Sequence, residues 1–182
     1  NKFKIIEFSH VYFKYGPNEP YILEDINLTI ERGKSYAFVG INGAGKTTIV
    51  KLLLNLYRPT SGRITIDGVD INKFAVEEYW KNIGAVFQEF IQYPFDVNHN
   101  IGFGCVEKGF DSECIKDAAK KSGAYEFVSK LKNGFETNLK KGWEESTQLS
   151  LGQWQKIAIS RVFMEDFPIL VLDELTASVD AR

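Results

Sequence analysis

The chain has 182 residues, 44% hydrophobic and 25% charged, with a formal net charge of −2, which suits one sizeable domain or one domain with an inserted lobe. That balance excludes an overall field that would draw nucleic acid or an anionic membrane, and no window approaches the roughly 20 apolar residues of a membrane span. The two cysteines, Cys105 and Cys114, stand in neither metal-ligand nor redox spacing and read as reduced thiols. Lysine pairs such as Lys120-Lys121 and Lys140-Lys141 read as solvated surface. No signal peptide is visible, and a chain that begins at Asn1 with Met164 as its one methionine reads as an excised or processed piece.

From Phe3 to Tyr15 the alternation of Phe3, Ile5, Phe8, Val11, Phe13 and Tyr15 predicts a strand, closed by the turn Gly16-Pro17-Asn18. A strand pair is expected over Tyr21 to Leu23 and Ile26 to Ile30, and strands this close must pair largely antiparallel. Ser35 to Val39 is an apolar run of strand length, followed by a glycine-rich loop and a helix over Thr47 to Tyr57 that Pro59-Thr60-Ser61-Gly62 ends. Its apolar residues, Ile49 through Leu56, go nearly all round and predict burial. Then come a strand over Arg63 to Asp67, a turn at Asp67-Gly68, a short helix over Val76 to Lys81 and a strand over Ile83 to Phe87. Between Glu89 and Gln148 the pattern turns helical: Asp111-Ser112 caps a helix that stops at Gly123, and Tyr125, Val128 and Leu131 keep helical spacing up to Asn133-Gly134. A helix over Gln153 to Met164 and a buried strand over Ile169 to Leu172 follow.

The stretch Gly40-Ile41-Asn42-Gly43-Ala44-Gly45-Lys46-Thr47-Thr48 matches the phosphate-loop pattern G-x-x-x-x-G-K-S/T at every fixed position, between an expected strand and an expected helix. Glycines let the backbone close around phosphate oxygens, successive N–H groups point inward, and the helix presents its positive end. Lys46 is expected to reach the β- and γ-phosphates and Thr47 to offer its hydroxyl to magnesium. Strand Ile169 to Leu172 ends in Asp173-Glu174, two carboxylates that are costly at the tip of a buried strand unless a cation sits there. A guanine-specific N-K-x-D motif is lacking, since Asn72-Lys73-Phe74-Ala75 has no aspartate, so adenine is the better base.

Leu149-Ser150-Leu151-Gly152-Gln153 resembles the signature L-S-G-G-Q of ATP-binding cassette (ABC) ATPases and sits a short helix upstream of Asp173, as in that family. The resemblance extends along nearly the whole chain: Tyr15 matches the aromatic that stacks on adenine, Gln88 the Q-loop glutamine, and Ala177-Ser178-Val179-Asp180 the D-loop. By themselves Tyr15 also reads as a buried strand aromatic and Gln88 as a polar strand end. Ser150 also reads as an ordinary N-cap, which would not account for Gly152-Gln153.

The resemblance implies an α/β fold: a P-loop NTPase core with a mostly parallel sheet flanked by helices, formed by residues 1–88 and 153–182. An N-terminal antiparallel layer and an inserted helical lobe over 89–152 complete it. It implies ATP held by Tyr15, Gly40, Asn42, Gly43, Ala44, Gly45, Lys46, Thr47, Thr48 and Gln88, and by Ser150, Gly152 and Gln153 of a second cassette. Magnesium would sit on Thr47, Gln88 and Asp173, with Glu174, Lys46 and Gln88 as catalytic groups. Tyr93-Pro94-Phe95 through Ile101 and Gly134-Phe135-Glu136-Thr137 resemble exporter-type cassettes. The implied partners are thus a second cassette and a transmembrane domain at the cytoplasmic face of the membrane, with no nucleic acid. A regulatory, non-hydrolysing cassette and a soluble ABC ATPase are the alternatives. Leu151 replaces the signature's first glycine, Leu175 a proline, and the family's switch histidine lies beyond Arg182, where neither His10 nor His99 can stand in for it. ATP binding by the chain alone is therefore expected more than turnover.

Overall fold

The computed structural model describes residues 3–41, 43–139, 142 and 146–173. Expectations placed on Asn42, Glu174, Leu175 and the D-loop residues 177–180 lie outside the described residues. The chain divides into two compact units, residues 1–83 and 84–182.

In the first unit, β1 (Ile5–Phe13), β2 (Leu23–Glu31), β3 (Ser61–Ile66) and β4 (Val69–Asp70) form one antiparallel sheet in the order β2-β1-β3-β4, as the close strand spacing required. Along β1 the buried residues are Ile6 and Phe8, then Val11 and Phe13, so the alternation slips by one residue between them. A β-bulge carries that slip: the register shifts there and His10 is left-handed at φ 48°. Side chains replace the interrupted ladder, Asn27 Oδ1 accepting from the His10 N–H at 2.9 Å and Asn27 Nδ2 donating to the Asp25 carbonyl at 2.9 Å. A Cβ at Gly62 would stand 2.1 Å from the His10 carbonyl oxygen, so glycine is what lets β3 cross the bulge. The expected pair over 21–30 is one continuous strand, because the bulge absorbs the irregularity that the sequence pattern suggested was a break.

Helix α1 (Lys46–Leu53) buries Thr48, Val50, Leu52 and Leu53 and stops earlier than its apolar run suggests. Leu54 closes it and Asn55 turns left-handed at φ 54°. Its last carbonyls are not left bare: on α2 (Val76–Trp80), Tyr79 donates its hydroxyl to the Leu53 carbonyl and Trp80 Nε1 donates to the Leu54 carbonyl at 2.8 Å. Burial pushes the Tyr79 phenol far above its ordinary value, so the hydroxyl stays a donor. The strand expected over Ser35 to Val39 is not formed. Residues 34–41 pair with no strand among the described residues, and Val39 and Ile41 stand exposed there, and a strand without a ladder partner has no means of satisfying its backbone as a strand.

β5 (Ile83–Val86), which lies in the second unit from Gly84 onward, and β6 (Ile169–Leu172) form a two-stranded sheet. Among the described residues the α-helices of this unit are α3 (Val97–Gly102), α4 (Ser112–Ser122), α5 (Tyr125–Val128) and α6 (Leu151–Val162). Val97, Ile101, Ile115, Ala118, Ala119, Val128 and Ile157 meet in one core with no exposed surface. Small residues set the spacing: a Cβ on Gly104 would meet the Arg161 carbonyl at 2.0 Å, and Ser122 and Ser160 share a hydrogen bond of 2.7 Å. Helix α4 begins and ends where its sequence predicts, with Asp111 accepting from the N–H groups of Glu113 and Cys114 and Gly123 left-handed at φ 73°.

Two outcomes follow. Tyr79→Phe leaves a buried carbonyl unpartnered at the end of α1 and should lower the unfolding free energy by about 1–3 kcal/mol in urea titrations. Hydrogen bonds, first that from Cys114, hold the Asp111 carboxyl below its ordinary value. The capping contribution is therefore present above the unfolded carboxylate value of about 3.9 and is lost as pH falls through the lower folded value. Asp111→Asn should remove that acid-dependent part of the stability curve.

Candidate nucleotide site

The loop before α1 takes its shape from two left-handed glycines, Gly43 at φ 84° and Gly45 at φ 85°. A side chain at Gly45 is excluded twice: the backbone is in the glycine region, and a Cβ would stand 2.6 Å from Leu23 Cδ2 and 3.3 Å from the Ile22 carbonyl. Gly45 is also the N-cap of α1; no side chain caps the helix and no acidic residue stands in its first turn. The opening N–H groups and the positive end of the helix dipole are therefore left to an anion. Lys46 folds across the loop and donates to the carbonyls of Gly40 at 2.8 Å and Ile41 at 3.0 Å. The loop is tightened by the Ala44 N–H donating to the Ile41 carbonyl at 3.2 Å and by Gly40, where a Cβ would meet Ala44 at 3.3 Å. Thr47 is exposed on the first turn, while Thr48 is buried with its hydroxyl 3.4 Å from that of Tyr15.

Tyr15 lies past the end of β1 with 41% of its surface exposed, which rules out the reading as a buried strand aromatic. Tyr12, the other aromatic nearby, is half-buried and packs edge-on against Tyr21. Thus Tyr15, Thr48 and the phosphate loop come together in the first unit.

Gln88 and Asp173 come together in the second. Asp173 directly follows β6, and its N–H donates to the Val86 carbonyl of β5 at 2.9 Å; Gln88 stands exposed two residues beyond Val86. Both occupy one end of the two-stranded sheet, an oxygen-rich edge of amide and carboxylate.

The signature segment forms the start of α6. Ser150 is its N-cap, accepting from the Gln153 N–H at 3.3 Å, and Gln153 Oε1 accepts from the Ser150 N–H at 2.9 Å. This reciprocal capping box accounts for Gln153 as well as Ser150 by local helix chemistry, contrary to the expectation that an ordinary N-cap leaves Gln153 unexplained. The S-x-x-Q spacing was the signal that could have found it. Leu151, in place of the expected glycine, is the first helical residue, has no positive φ and is 51% exposed. Its backbone therefore carries no strain. Gly152 is half-buried in the same turn.

The sequence reading also missed a buried polar hub. Arg161 of α6 donates through Nε to the Asn100 carbonyl at 2.8 Å, through Nη2 to Asn100 Oδ1 at 2.9 Å and through Nη1 to the Ile91 carbonyl at 2.7 Å, and its guanidinium lies 4.8 Å from the Tyr93 ring centre. Asn100 is fully buried and its Nδ2 donates to the carbonyls of Tyr93, Phe95 and Asp96. Burial pulls the guanidinium below its ordinary value, yet it stays a cation. The loop that carries Tyr93-Pro94-Phe95 is thereby tied to the helix that carries the signature. Only the arginine's helical position is visible in the sequence; its hydrogen-bond partners lie 61 and 70 residues away.

Comparison with known proteins decides what this assembly is. The ABC transporter family pattern matches residues 23–177. The chain belongs to the ABC transporter family. As an ABC transporter ATPase domain it binds ATP. It is 40% identical over 175 residues to a multidrug export ATP-binding/permease protein of Staphylococcus aureus (strain NCTC 8325 / PS 47), covering 96% of this chain and 29% of that protein. A relative of the same name in the bovine strain RF122 / ET3-1 is 39% identical over the same span. Among solved structures, a bacterial Atm1-family ABC exporter with ATP bound superposes with a TM-score of 0.87 at 32% identity, over 99% of this chain and 30% of that one. The chain thus spans about 30% of the length of these relatives and is an ATP-binding cassette related to those of multidrug exporters. Among the described residues no helix is long and apolar enough to cross a membrane.

Gly45→Ala should cost about 1–3 kcal/mol of stability through its backbone and its contact with Leu23. It should also weaken ATP binding at least about tenfold in equilibrium dialysis, because the loop must open to admit the methyl group.

Proposed function

We propose that the chain is the ATP-hydrolysing motor of a membrane exporter. It works in a head-to-tail pair in which each ATP lies between the phosphate loop of one cassette and the signature segment of the other. The observation that carries the nucleotide part is the uncapped, glycine-shaped start of α1 with Lys46 folded across it. The exporter part draws on the relatives, whose names join ATP binding to a permease. A transmembrane domain, in the same polypeptide or a separate subunit, is the expected partner and would hold the cassette at the cytoplasmic face. Residues 1–88 and 153–182 would form the core with its mostly parallel sheet, and 89–152 the helical lobe.

In this reading Tyr15 stacks on adenine, and the loop from Gly40 to Thr48, Asn42 included, cradles the phosphates. Lys46 turns from the loop carbonyls to the β- and γ-phosphates when they arrive. Thr47, Gln88 and Asp173 would hold magnesium. Hydroxyl, amide and carboxylate are the hard oxygen donors that ion prefers. When bound, it neutralises phosphate charge. Ser150, Gly152 and Gln153 of the opposing cassette close over the γ-phosphate with the positive end of α6. Glu174 accepts a proton from the attacking water.

The test uses two variants of the protein. Lys46→Ala should abolish ATP binding or turnover. Glu174→Gln should bind ATP like the wild type while phosphate release falls at least about a hundredfold. Unchanged affinity and rate in Lys46→Ala would overturn the site, and full turnover in Glu174→Gln would overturn the motor assignment.

A further inference from the structure

We propose that Lys51 and Tyr57 are positioning residues that lock the Tyr15 ring onto α1 and so fix the spacing between the base and phosphate subsites. The proposal rests on the reading of Tyr15 as the base platform. Tyr15 lies beyond β1 beside the turn at Gly16-Pro17, so ladder hydrogen bonds do not set its ring plane. Side chains set it instead. Phe13 and Tyr57 both stand nearly perpendicular to it, at centroid distances of 4.9 and 5.3 Å and interplanar angles of 85°. They also contact each other at 5.7 Å. Edge-to-face pairing of this kind has a definite geometry.

The fourth member is a cation. Lys51 Nζ lies 3.4 Å from the Tyr15 hydroxyl but 5.5 Å from its ring centre, so it grips the hydroxyl end and does not cover the face. It also lies 6.0 Å from the Tyr57 ring centre. Thr48 Oγ1 approaches the same hydroxyl at 3.4 Å. Thr48 and Lys51 are three residues apart on one face of α1, and the helix that holds them opens with Lys46 and Thr47. A helix is a stiff spacer of about 1.5 Å per residue. It therefore transmits the position of the phosphate loop to the tyrosine through Lys51, and the exposed part of the ring is left for a base. Mere aromatic packing would need Phe13 and Tyr57 but gives a helix-borne ammonium at the hydroxyl no task.

The experiment compares a ligand that has a base with one that has none. Calorimetric affinities for magnesium ATP and magnesium tripolyphosphate are measured for the wild-type protein, Lys51→Met, Tyr57→Ala, Tyr57→Phe and Tyr15→Ala. Lys51→Met and Tyr57→Ala should weaken ATP about two- to tenfold and leave tripolyphosphate unchanged, while Tyr57→Phe, which keeps the ring edge, behaves as the wild type. Equal weakening of both ligands would mean a role in the fold alone and overturns the proposal. So does unchanged ATP affinity in Lys51→Met and Tyr57→Ala when Tyr15→Ala weakens ATP selectively. Unchanged ATP affinity in Tyr15→Ala would instead overturn the base-platform reading itself.

Discussion

The nucleotide site depends on the absence of one side chain. Gly45 is left-handed and lies against β2, with Leu23 and the Ile22 carbonyl where a Cβ would go. The same residue is the end of the phosphate loop, the N-cap of α1 and a contact of the antiparallel sheet. A capping serine or aspartate there would satisfy the first N–H groups of the helix and take them from any anion. Glycine leaves them bare and lets the sheet approach. The constraint then runs along α1, whose far end is closed by Tyr79 and Trp80. With both ends fixed, the helix has a defined length and direction on which Thr48 and Lys51 can hold Tyr15.

The second unit solves the opposite problem at α6. There the helix start carries a capping box of its own, between Ser150 and Gln153, and the demanding element lies near its other end. Arg161 is a half-buried cation that donates to carbonyl and amide oxygens. A charge taken partly out of water needs hydrogen-bond partners to offset its lost hydration. Asn100 matches it by accepting from the guanidinium while donating to three carbonyls of the preceding loop. The loop over 91–96 and helix α6 therefore shift together or lose several hydrogen bonds at once.

Much of this was legible in the sequence because local chemistry decides it. Asp111 and Gly123 bound α4, and Asp67-Gly68 turns β3 into β4, with both residues at positive φ. The phosphate loop was legible because its spacing is the mechanism. What escaped was set by partners distant in sequence. Nothing in Ser9-His10 announces a bulge until Gly62 crosses it, and α1 ends at Leu53 because aromatic side chains from α2 reach its carbonyls. Ser35 to Val39 was read as a strand from apolarity alone, but ladder formation is a property of two segments. Local devices also escape where a residue already has another reading: the capping box uses Gln153, and Asp96 caps α3 by accepting from the His99 N–H.

Leu151 is best understood from the same helix start. In its place the signature expects glycine, which is about 1 kcal/mol worse than leucine within a helix because it leaves the backbone loose. Here the residue is helical and half-exposed, so the chain neither needs a left-handed turn there nor buries the side chain. Together with the box between Ser150 and Gln153, leucine makes the first turn of α6 stiffer than a glycine pair would. The backbone at this helix start is therefore held in one conformation, with little conformational freedom left to it. The cost is an apolar side chain left at the surface beside it. One substitution thus both stiffens the helix start and places exposed apolar surface there.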